Sequence, residues 1–422
     1  MKQVGIVNDE LKFAATIGLD WADQKHAVYL LEAGSSTPEY MIIKHSPEDI
    51  IEWMNQLRKR FGEQKIAICL EQSKGALINA LINYDFLVLY PVNPATLARY
   101  RQAFAASGAK NDPGDAYYLM ELVTAHRDKL KAWKPDNELT RSISIIVESR
   151  HKAVKLRTRL VNMLRAMLKS YFPQALDLVG STLHSTLACD FILNWPTLED
   201  IKKEEKQTIR RFYYGHHSRR GDLIEKRLNI IERSCPLTSD KAIIKSSLIM
   251  AKMLAGQLRV LANSIREYDN KLAALFSQHP DSIIFSSLPG AGAVLAPRLL
   301  AAFGTDRDRF DSAEDIQKYS GIAPVIVRSG NSIWIHWRYA CSKFIRQSFH
   351  EFANRSIHYS MWAKVYYEKQ RQKGKGHHTT IRSLAFKWIR IIFRCWKNRE
   401  AYDEVKYLKA LQQSGSLLLN CA

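Results

Sequence analysis

The stretch AATIGLDWADQKHAVYLLEA (residues 14–33) contains two short β-rich runs, 14–20 and 26–33, separated by a polar turn. A third run of the same kind, EYMIIKH, follows at 39–45, so three successive strands are predicted. The first run is apolar until it ends at Asp20. A carboxylate directly after an apolar strand is costly unless a counter-charge such as a metal ion compensates it. Asp20 is therefore the first candidate site residue.

Helices and strands alternate after the third strand. Ser46 is a good N-cap, a proline and two acids follow it, and apolar residues at helical spacing predict a helix that ends at Gly62. Further strands are predicted at 65–71 and 86–92, with helices near 74–83 and from Asn93 onward. The resulting order, β-β-β-α-β-α-β-α, is the ribonuclease-H-like one, in which the first strand lies beside the fourth. Glu71 ends the fourth strand, so we expect it beside Asp20.

Two further acids, Asp112 and Asp115, stand three residues apart in KNDPGDAYYL at the start of a predicted helix. That spacing puts both on one helix face, from which they can point at the sheet. Magnesium prefers oxygen ligands, and two-metal phosphodiester cleavage needs several converging carboxylates. Alternatively, Asp112 and Asp115 only cap the helix while Asp20 and Glu71 are solvated strand ends. For any one acid alone, this alternative is the stronger one.

Four segments, IGLDWADQKH, ICLEQSKG, YPVNPATLARYRQAF and KNDPGDAYYL, resemble in order and spacing the RuvC-like domain of the DEDD insertion-sequence transposases. That group includes the Piv-type DNA invertases and the bridge-RNA-guided recombinases. The resemblance covers roughly residues 14–125. It implies that Asp20, Glu71, Asp112 and Asp115 are the DEDD metal ligands and that the cofactor is Mg²⁺.

Residues 286–332 resemble the C-terminal transposase domain of the same family. Gly290 and Gly292 open a helix whose backbone N–H groups could hold a phosphate, although such starts are also common in packing turns. The resemblance implies that Ser329, the first serine of Ser-Gly-Asn-Ser, is the nucleophile; a serine before glycine is also a common turn residue. The sequence IWIHWRYACSKFI that follows is more aromatic than the family pattern. Arg328, Arg338 and Lys343 are the predicted nucleic-acid contacts around this motif.

The composition predicts a chain of several units with a polyanionic partner. The 422 residues exceed the usual size of one domain, and 62 Lys+Arg against 42 Asp+Glu give a formal net charge of +20. We expect a RuvC-like α/β domain at 1–128, a helical linker with a coiled-coil arm at 129–280, and a mainly α C-terminal domain at 281–422.

Two long helices are predicted in the middle part. The first, about 138–172, carries a basic run without acids, for which nucleic-acid binding is favoured over a solvated face. Its candidate contacts are Arg150, Lys152, Lys155, Arg157 and Arg159. The second has a heptad seam from Leu254 to Leu275, which could pair with a second chain or fold against the first helix.

Together these features predict an enzyme, a DNA transposase or recombinase that cuts and rejoins donor and target DNA. The resemblance further implies a structured guide (bridge) RNA, and the seam together with the need to hold two duplexes predicts a homo-oligomer, a dimer or tetramer. No apolar run is long enough for a membrane span and no signal peptide is recognised, so a cytoplasmic, nucleoid-associated protein is expected. Two alternatives remain open: a metal-dependent DNA junction nuclease without a covalent serine intermediate, and a non-catalytic nucleic-acid-binding protein.

Overall fold

The computed structural model describes residues 12–71, 75–104, 112–413 and 415. The chain divides into two compact units, Met1–Pro135 and Asp136–Ala422. The second unit contains most of the stretch predicted as a helical linker and arm and all of the predicted C-terminal domain; their subdivision at residue 280 stays a prediction.

The first unit is a five-stranded mixed sheet with helices on both faces. The element order agrees with the predicted one. The elements are β1 (Ala15–Asp20), β2 (Lys25–Glu32), β3 (Glu39–Lys44), α1 (Pro47–Phe61), β4 (Ile66–Leu70), α2 (Ala76–Leu81), β5 (Leu87–Pro91), α3 (Pro94–Phe104), α4 (Asp112–Ala125) and a 3-10 turn (Arg127–Lys129).

The sheet has the strand order β3-β2-β1-β4-β5. β1 pairs antiparallel with β2 and parallel with β4, and β5 lies parallel to β4. Because side chains alternate along a strand, β1 and β4 bury one set of residues against α1 and the other against α4. Ile17, Leu19, Ile68 and Leu70 belong to the α1 side.

The sequence of the helix α1 contains the local signals that start it, bury one of its faces and end it. The hydroxyl of Ser46 accepts a hydrogen bond of 3.1 Å from the backbone N–H of Asp49, which caps the first turn. Proline at the first helical position and two acids in the first turn suit the helix dipole. The predicted apolar face is buried, and the helix stops at Gly62, whose φ of 64° suits glycine.

The second unit is almost entirely helical. Its helices are α5 (Glu138–Tyr171), α6 (Gln174–Val179), α7 (Thr186–Asn194), α8 (Leu198–Lys202), α9 (Lys206–Gly215), α10 (Gly221–Arg233), α11 (Lys241–Gln278), α12 (Ser282–Ser286), α13 (Gly292–Phe303), α14 (Ala313–Tyr319), α15 (Lys343–Ser356), α16 (Met361–Gln372), α17 (His377–Asn398) and α18 (Glu404–Gln413). One hairpin, β6 (Val325–Ser329) and β7 (Ser332–His336), interrupts them.

The predicted heptad seam lies in α11, which packs along α5 of the same chain. The pair is antiparallel, since the first half of α5 shares a core with Leu272 and its second half shares a core with Leu254 and Leu258. The seam is therefore covered within the chain instead of presenting an exposed leucine stripe. This removes the seam as a reason to expect oligomers.

The second unit has two apolar cores, and α5 and α11 run through both. One core is formed with α6 to α10, and the other with α12 to α17. In the part of the chain that the structure describes, no helix is both long and apolar enough to cross a bilayer.

Candidate active site

The carboxyl ends of β1 and β4 bring two predicted acids to one edge of the sheet. Leu19 and Leu70 are register partners in the parallel pair; Asp20 is the last residue of β1, and Glu71 directly follows β4. Both acids are half-buried. Two residues 51 positions apart in sequence thus lie at the ends of neighbouring strands, as the element order predicted.

The helix α4 crosses the same part of β1 at very short range. A Cβ built on Gly18 would stand 2.0 Å from the carbonyl oxygen of Ala116 and 2.2 Å from the backbone nitrogen of Met120. The hydroxyls of Thr16 and Thr124 lie 2.7 Å apart on the same face. Only glycine at position 18 lets the helix backbone lie directly on the strand.

These contacts show which turn of the helix lies level with Asp20. Residues 16, 18 and 20 share one face of β1, and two strand residues span about as far as four to five helix residues. Thr16 is level with Thr124 and Gly18 with the stretch from Ala116 to Met120, so Asp20 is level with the first turn of α4. Asp115 lies in that turn.

Asp115 is almost fully buried, with 2% of its surface exposed. Its carboxylate forms an ion pair with Arg101 of α3, whose side chain is 15% exposed. A buried carboxylate requires a counter-charge, and here the guanidinium supplies it. Asp112 is the first residue of α4, but its side chain lies outside the described residues.

The chemistry of these carboxylates suits a hard cation such as Mg²⁺, but the spacing of those that the structure describes does not form a closed metal site. The oxygens of Asp20, Glu71 and Asp115 are the type of ligand that Mg²⁺ prefers, and the burial of Asp115 makes a nearby positive charge favourable. Among residues 12–71, 75–104 and 112–413, no three His, Cys, Asp or Glu side chains are grouped closely enough to form a metal site.

A histidine pair that the sequence analysis missed lies next to this edge of the sheet. Nε2 of His26 is 3.0 Å from Nδ1 of His45, and Trp21 stacks on the His26 ring. Burial, together with the neighbouring His45, lowers the pKa of His26 to about 4. His26 alternates with Val28 and Leu30, so it points to the face opposite Asp20. The sequence signals are the two histidines that end IGLDWADQKH and EYMIIKH.

Ser329 lies at the tip of the β6–β7 hairpin in the second unit. It pairs with Ser332 as the last rung of the hairpin, and Gly330 between them has a φ of 54°. Ser329 is exposed, and so are the large apolar residues of both strands, with Trp334 77% exposed. A turn of this kind presents the serine hydroxyl to the outside of the unit.

The predicted contacts after the serine have different environments. Arg328 and Lys343 are exposed. Arg338 is half-buried, and its Nη2 donates to the carbonyl of Pro324 at 3.5 Å. Trp337, in the aromatic stretch, is covered by the guanidinium of Arg382, which lies 3.0 Å from the ring centroid.

The glycine turn before α13 has a packing role. Gly290 has a φ of 79°, and a Cβ there would meet the Tyr359 ring at 2.8 Å. Gly292 begins α13 with a φ of 54° and is open to solvent, with nothing within 4 Å of the position of a Cβ. Gly290 therefore fits the packing-turn alternative, whereas Gly292 is exposed at the start of α13.

The basic run of α5 is mostly open to solvent. Lys152, Lys155 and Arg159 are exposed, and Arg157 is half-buried. Arg150 is half-buried and forms an ion pair with Asp269 of α11, so it contributes to the helix pair.

Two family models match the chain. Residues 17–173 match the DEDD transposase model of the IS110 type, and residues 283–368 match the model described as the transposase of the IS116/IS110/IS902 family. Together with the carboxylate edge, these matches define the class, a DEDD-type transposase. The chain belongs to the IS110 family of insertion-sequence transposases.

Relatives match over most of the chain. The Streptomyces coelicolor protein assigned as the mini-circle transposase for IS117 is 25% identical over 94% of this chain and 98% of its own length. An uncharacterized 43.6 kDa protein of the insertion element IS110, from the same organism, is 23% identical over 70% of this chain and 72% of its own. An uncharacterized 42 kDa protein of IS900 from Mycobacterium paratuberculosis is 22% identical over 81% of this chain and 84% of its own.

Proposed function

We propose that this transposase cuts and rejoins donor and target DNA by phosphoryl transfer at the carboxylate edge of a ribonuclease-H-like unit. The observation that carries the proposal is the convergence of Asp20 and Glu71 with the first turn of α4, which the register of β1 with β4 and the crossing at Gly18 support. A phosphodiester is negatively charged and would be repelled by a site made of carboxylates. Such a site therefore requires a cation in order to bind the phosphodiester.

Asp20, Glu71, Asp112 and Asp115 would hold Mg²⁺ at this edge. When bound, such an ion supplies Lewis-acid stabilisation of the charge on the phosphate oxygens. Asp20 and Glu71 would hold the ion at the carboxyl ends of β1 and β4, and the buried Asp115 would hold it from the side of α4.

Conservative amide substitutions test the site. Asp20→Asn and Glu71→Gln should abolish cleavage and strand transfer while the circular dichroism spectrum and DNA affinity stay close to those of the parent. Asp23→Asn is the matched control, because Asp23 is an exposed acid three residues after Asp20. Recombination at the parental rate by either site variant would overturn the assignment.

We further propose that Ser329 is the nucleophile. Its Oγ would bond to a DNA phosphorus, its proton would leave to a base, and the phosphorus bond to one deoxyribose oxygen would break, with that oxygen taking up a proton. Attack by the hydroxyl of another DNA end on the phosphoserine then rejoins the strand and releases the serine. The exposed position at a hairpin tip supports this role, because a DNA phosphate can reach the hydroxyl without unfolding the chain.

A suicide DNA substrate tests the covalent step. After denaturation and digestion, the DNA-linked peptide should contain Ser329, and Ser329→Ala should give no adduct while Ser332→Ala still does. An adduct at Ser332 would refute the assignment to Ser329. Cleavage by the active parent with no adduct would favour the junction-nuclease alternative, in which water attacks directly.

We also propose that a structured guide RNA and a second copy of the chain take part. The exposed basic residues of α5 support RNA binding, and recombination must hold two duplexes, which favours a dimer or tetramer. Protein isolated from cells that carry the complete insertion element should co-purify with one discrete RNA. Co-purification of bulk RNA alone would contradict the guide RNA. Sedimentation as a monomer, both with and without nucleic acid, would contradict the participation of a second copy.

A further inference from the structure

The second unit contains a cavity of about 390 Å³ between α5, α11, α13 and α15. This volume lies within the usual range of about 300–1,000 Å³ for ligand sites. Apolar side chains form much of its wall: Val147 and Val154 from α5, Leu272 from α11 and Val294 from α13. The predicted active-site residues are not among those that line it.

Arg298 lines this cavity with a buried side chain. Only 7% of its surface is exposed. Its Nε donates to the hydroxyl of Ser348 at 3.0 Å, and its Nη1 donates to Glu351 at 2.5 Å. The other carboxylate oxygen of Glu351 accepts from Gln347 at 2.6 Å. The remaining nitrogen of Arg298, Nη2, is buried and has no hydrogen-bond partner within the described residues.

His151 also lines this cavity, and one of its ring nitrogens is buried without a partner among the described residues. Its ring packs against Phe344 with centroids 4.9 Å apart, and its Nε2 has no hydrogen-bond partner in the described part of the chain. Burial, with the positive charges of Lys155 and Arg298, lowers the pKa of His151, so the ring is neutral near pH 7. Leaving two such atoms unsatisfied is unfavourable, and a ligand that pairs with them would remove that cost.

A planar, apolar-faced ligand with a polar edge fits these walls better than a bare anion. A free phosphate would have to give up its hydration shell beside valine and leucine side chains, which cannot hydrogen-bond to it. The apolar faces of a nucleobase would instead pack on these side chains. Lys152, Lys155 and Arg159 are exposed at helical spacing on α5. Of these three, Lys155 lines the cavity, so the exposed basic residues reach its opening. A phosphate backbone along that stripe would bring a base to the opening.

We propose that this cavity receives one unstacked nucleobase from a single-stranded segment of nucleic acid, with Arg298 Nη2 and His151 Nε2 pairing with its polar edge. The inference rests on the proposed function insofar as that function requires nucleic-acid binding. RNA and DNA strands share the chemistry that the cavity recognises, and the experiment separates them.

Photocrosslinking with the full-length chain tests the proposal. The probes are 12-nucleotide single strands that carry one 4-thiouracil in RNA or one 4-thiothymine in DNA. Digestion and mass analysis should locate the crosslink in the segments of α5 or α13 that line the cavity. The strand that crosslinks there identifies the source of the base. A tenfold excess of inorganic phosphate should not displace it, and displacement would favour an anion site and overturn the proposal.

Two variants separate the cavity from the rest of the surface. Val294→Trp should fill the opening and weaken binding about tenfold or more, as expected from the loss of one stacked base. Val260→Trp is the matched control, because Val260 is 68% exposed on α11 and does not line the cavity. His151→Phe keeps the ring but removes the unsatisfied nitrogen, so it should weaken binding while raising thermal stability.

The outcomes distinguish the cavity from the proposed function. Unchanged binding and crosslinking by Val294→Trp would overturn the base site, whereas cleavage that still depends on Asp20 would leave the transposase proposal standing. Failure of the parent to bind either single strand would overturn the base site, whereas the transposase proposal is decided separately by the Asp20 and Glu71 variants. Loss of stability in His151→Phe would assign His151 a packing role and contradict its pairing with a base.

Discussion

Gly18 of β1 and Ala116 of α4 are in backbone contact: a Cβ on Gly18 would lie 2.0 Å from the Ala116 carbonyl oxygen. This contact sets the height of α4 above the sheet two residues before Asp20. The position of the acids therefore depends on a residue that has no functional group of its own.

Gly18→Ala should destabilise the protein by about 1–3 kcal/mol or more, because the added methyl group meets helix backbone that must move away. Urea unfolding measures the change. Gly256→Ala is the control, since Gly256 lies inside α11 with nothing near its Cβ position, and there the same change should stabilise the protein by about 0.5–1 kcal/mol. Equal effects at both positions would refute the close crossing.

Arg101→Met should remove the counter-charge of buried Asp115 at a cost of about 3–5 kcal/mol. Because a bound cation would restore that charge, added Mg²⁺ should raise the Tm of this variant more than that of the parent. Arg99→Met is the control, as Arg99 is exposed on the same helix. If Mg²⁺ shifted Tm equally in all three proteins, Asp115 would not be part of a metal site.

His26 should make folding stability dependent on pH. Its pKa is about 4 in the folded protein and near 6.5 when unfolded, so the unfolded chain binds the proton first. The contribution of His26 to the free energy of unfolding is fully present above pH 6.5. It should be lost as the pH decreases toward 4, by about 3 kcal/mol in total. Urea unfolding at several pH values should show a shallower decline for His26→Gln. His350, whose pKa is also lowered to about 4 by burial and neighbouring cations, should contribute a separate part of the decline.

Replacing Lys152, Lys155 and Arg159 together with alanine should weaken nucleic-acid binding and reduce its salt dependence. On duplex DNA, each lost phosphate contact should lower the slope of log K against log salt by about 0.9. The control replaces Lys241, Lys245 and Lys252, three exposed lysines of α11, which keeps the net charge of the two variants equal. The same loss of slope in both variants would show that only total charge matters.

The sequence predicted the first unit well because its signals are local. Ser46 and the apolar spacing after it define α1, and the order of strands places Asp20 beside Glu71. The ion pair of Arg101 with Asp115 was missed, because no local sequence pattern predicts that α3 and α4 pack with these two residues in contact.

The middle of the chain was harder to predict. Residues 174–240 form five helices of 5 to 13 residues, too short to be stable alone, whose burial against α5 and α11 decides their structure. The heptad seam was recognised, but a seam does not identify its partner, which is α5. The cavity at Arg298 arises where four helices meet, a relationship that no local pattern contains.

The antiparallel pair of α5 and α11 has a mechanical consequence. Helices of 34 and 38 residues are each about 50–57 Å long, and both pass without a break from one apolar core to the other. Bending between the cores would require backbone hydrogen bonds to open in both helices at the same level. The amides of the two cores should therefore lose their protection from hydrogen exchange together, as one cooperative unit. A mechanical force applied to one core would be transmitted to the other through the two continuous helices.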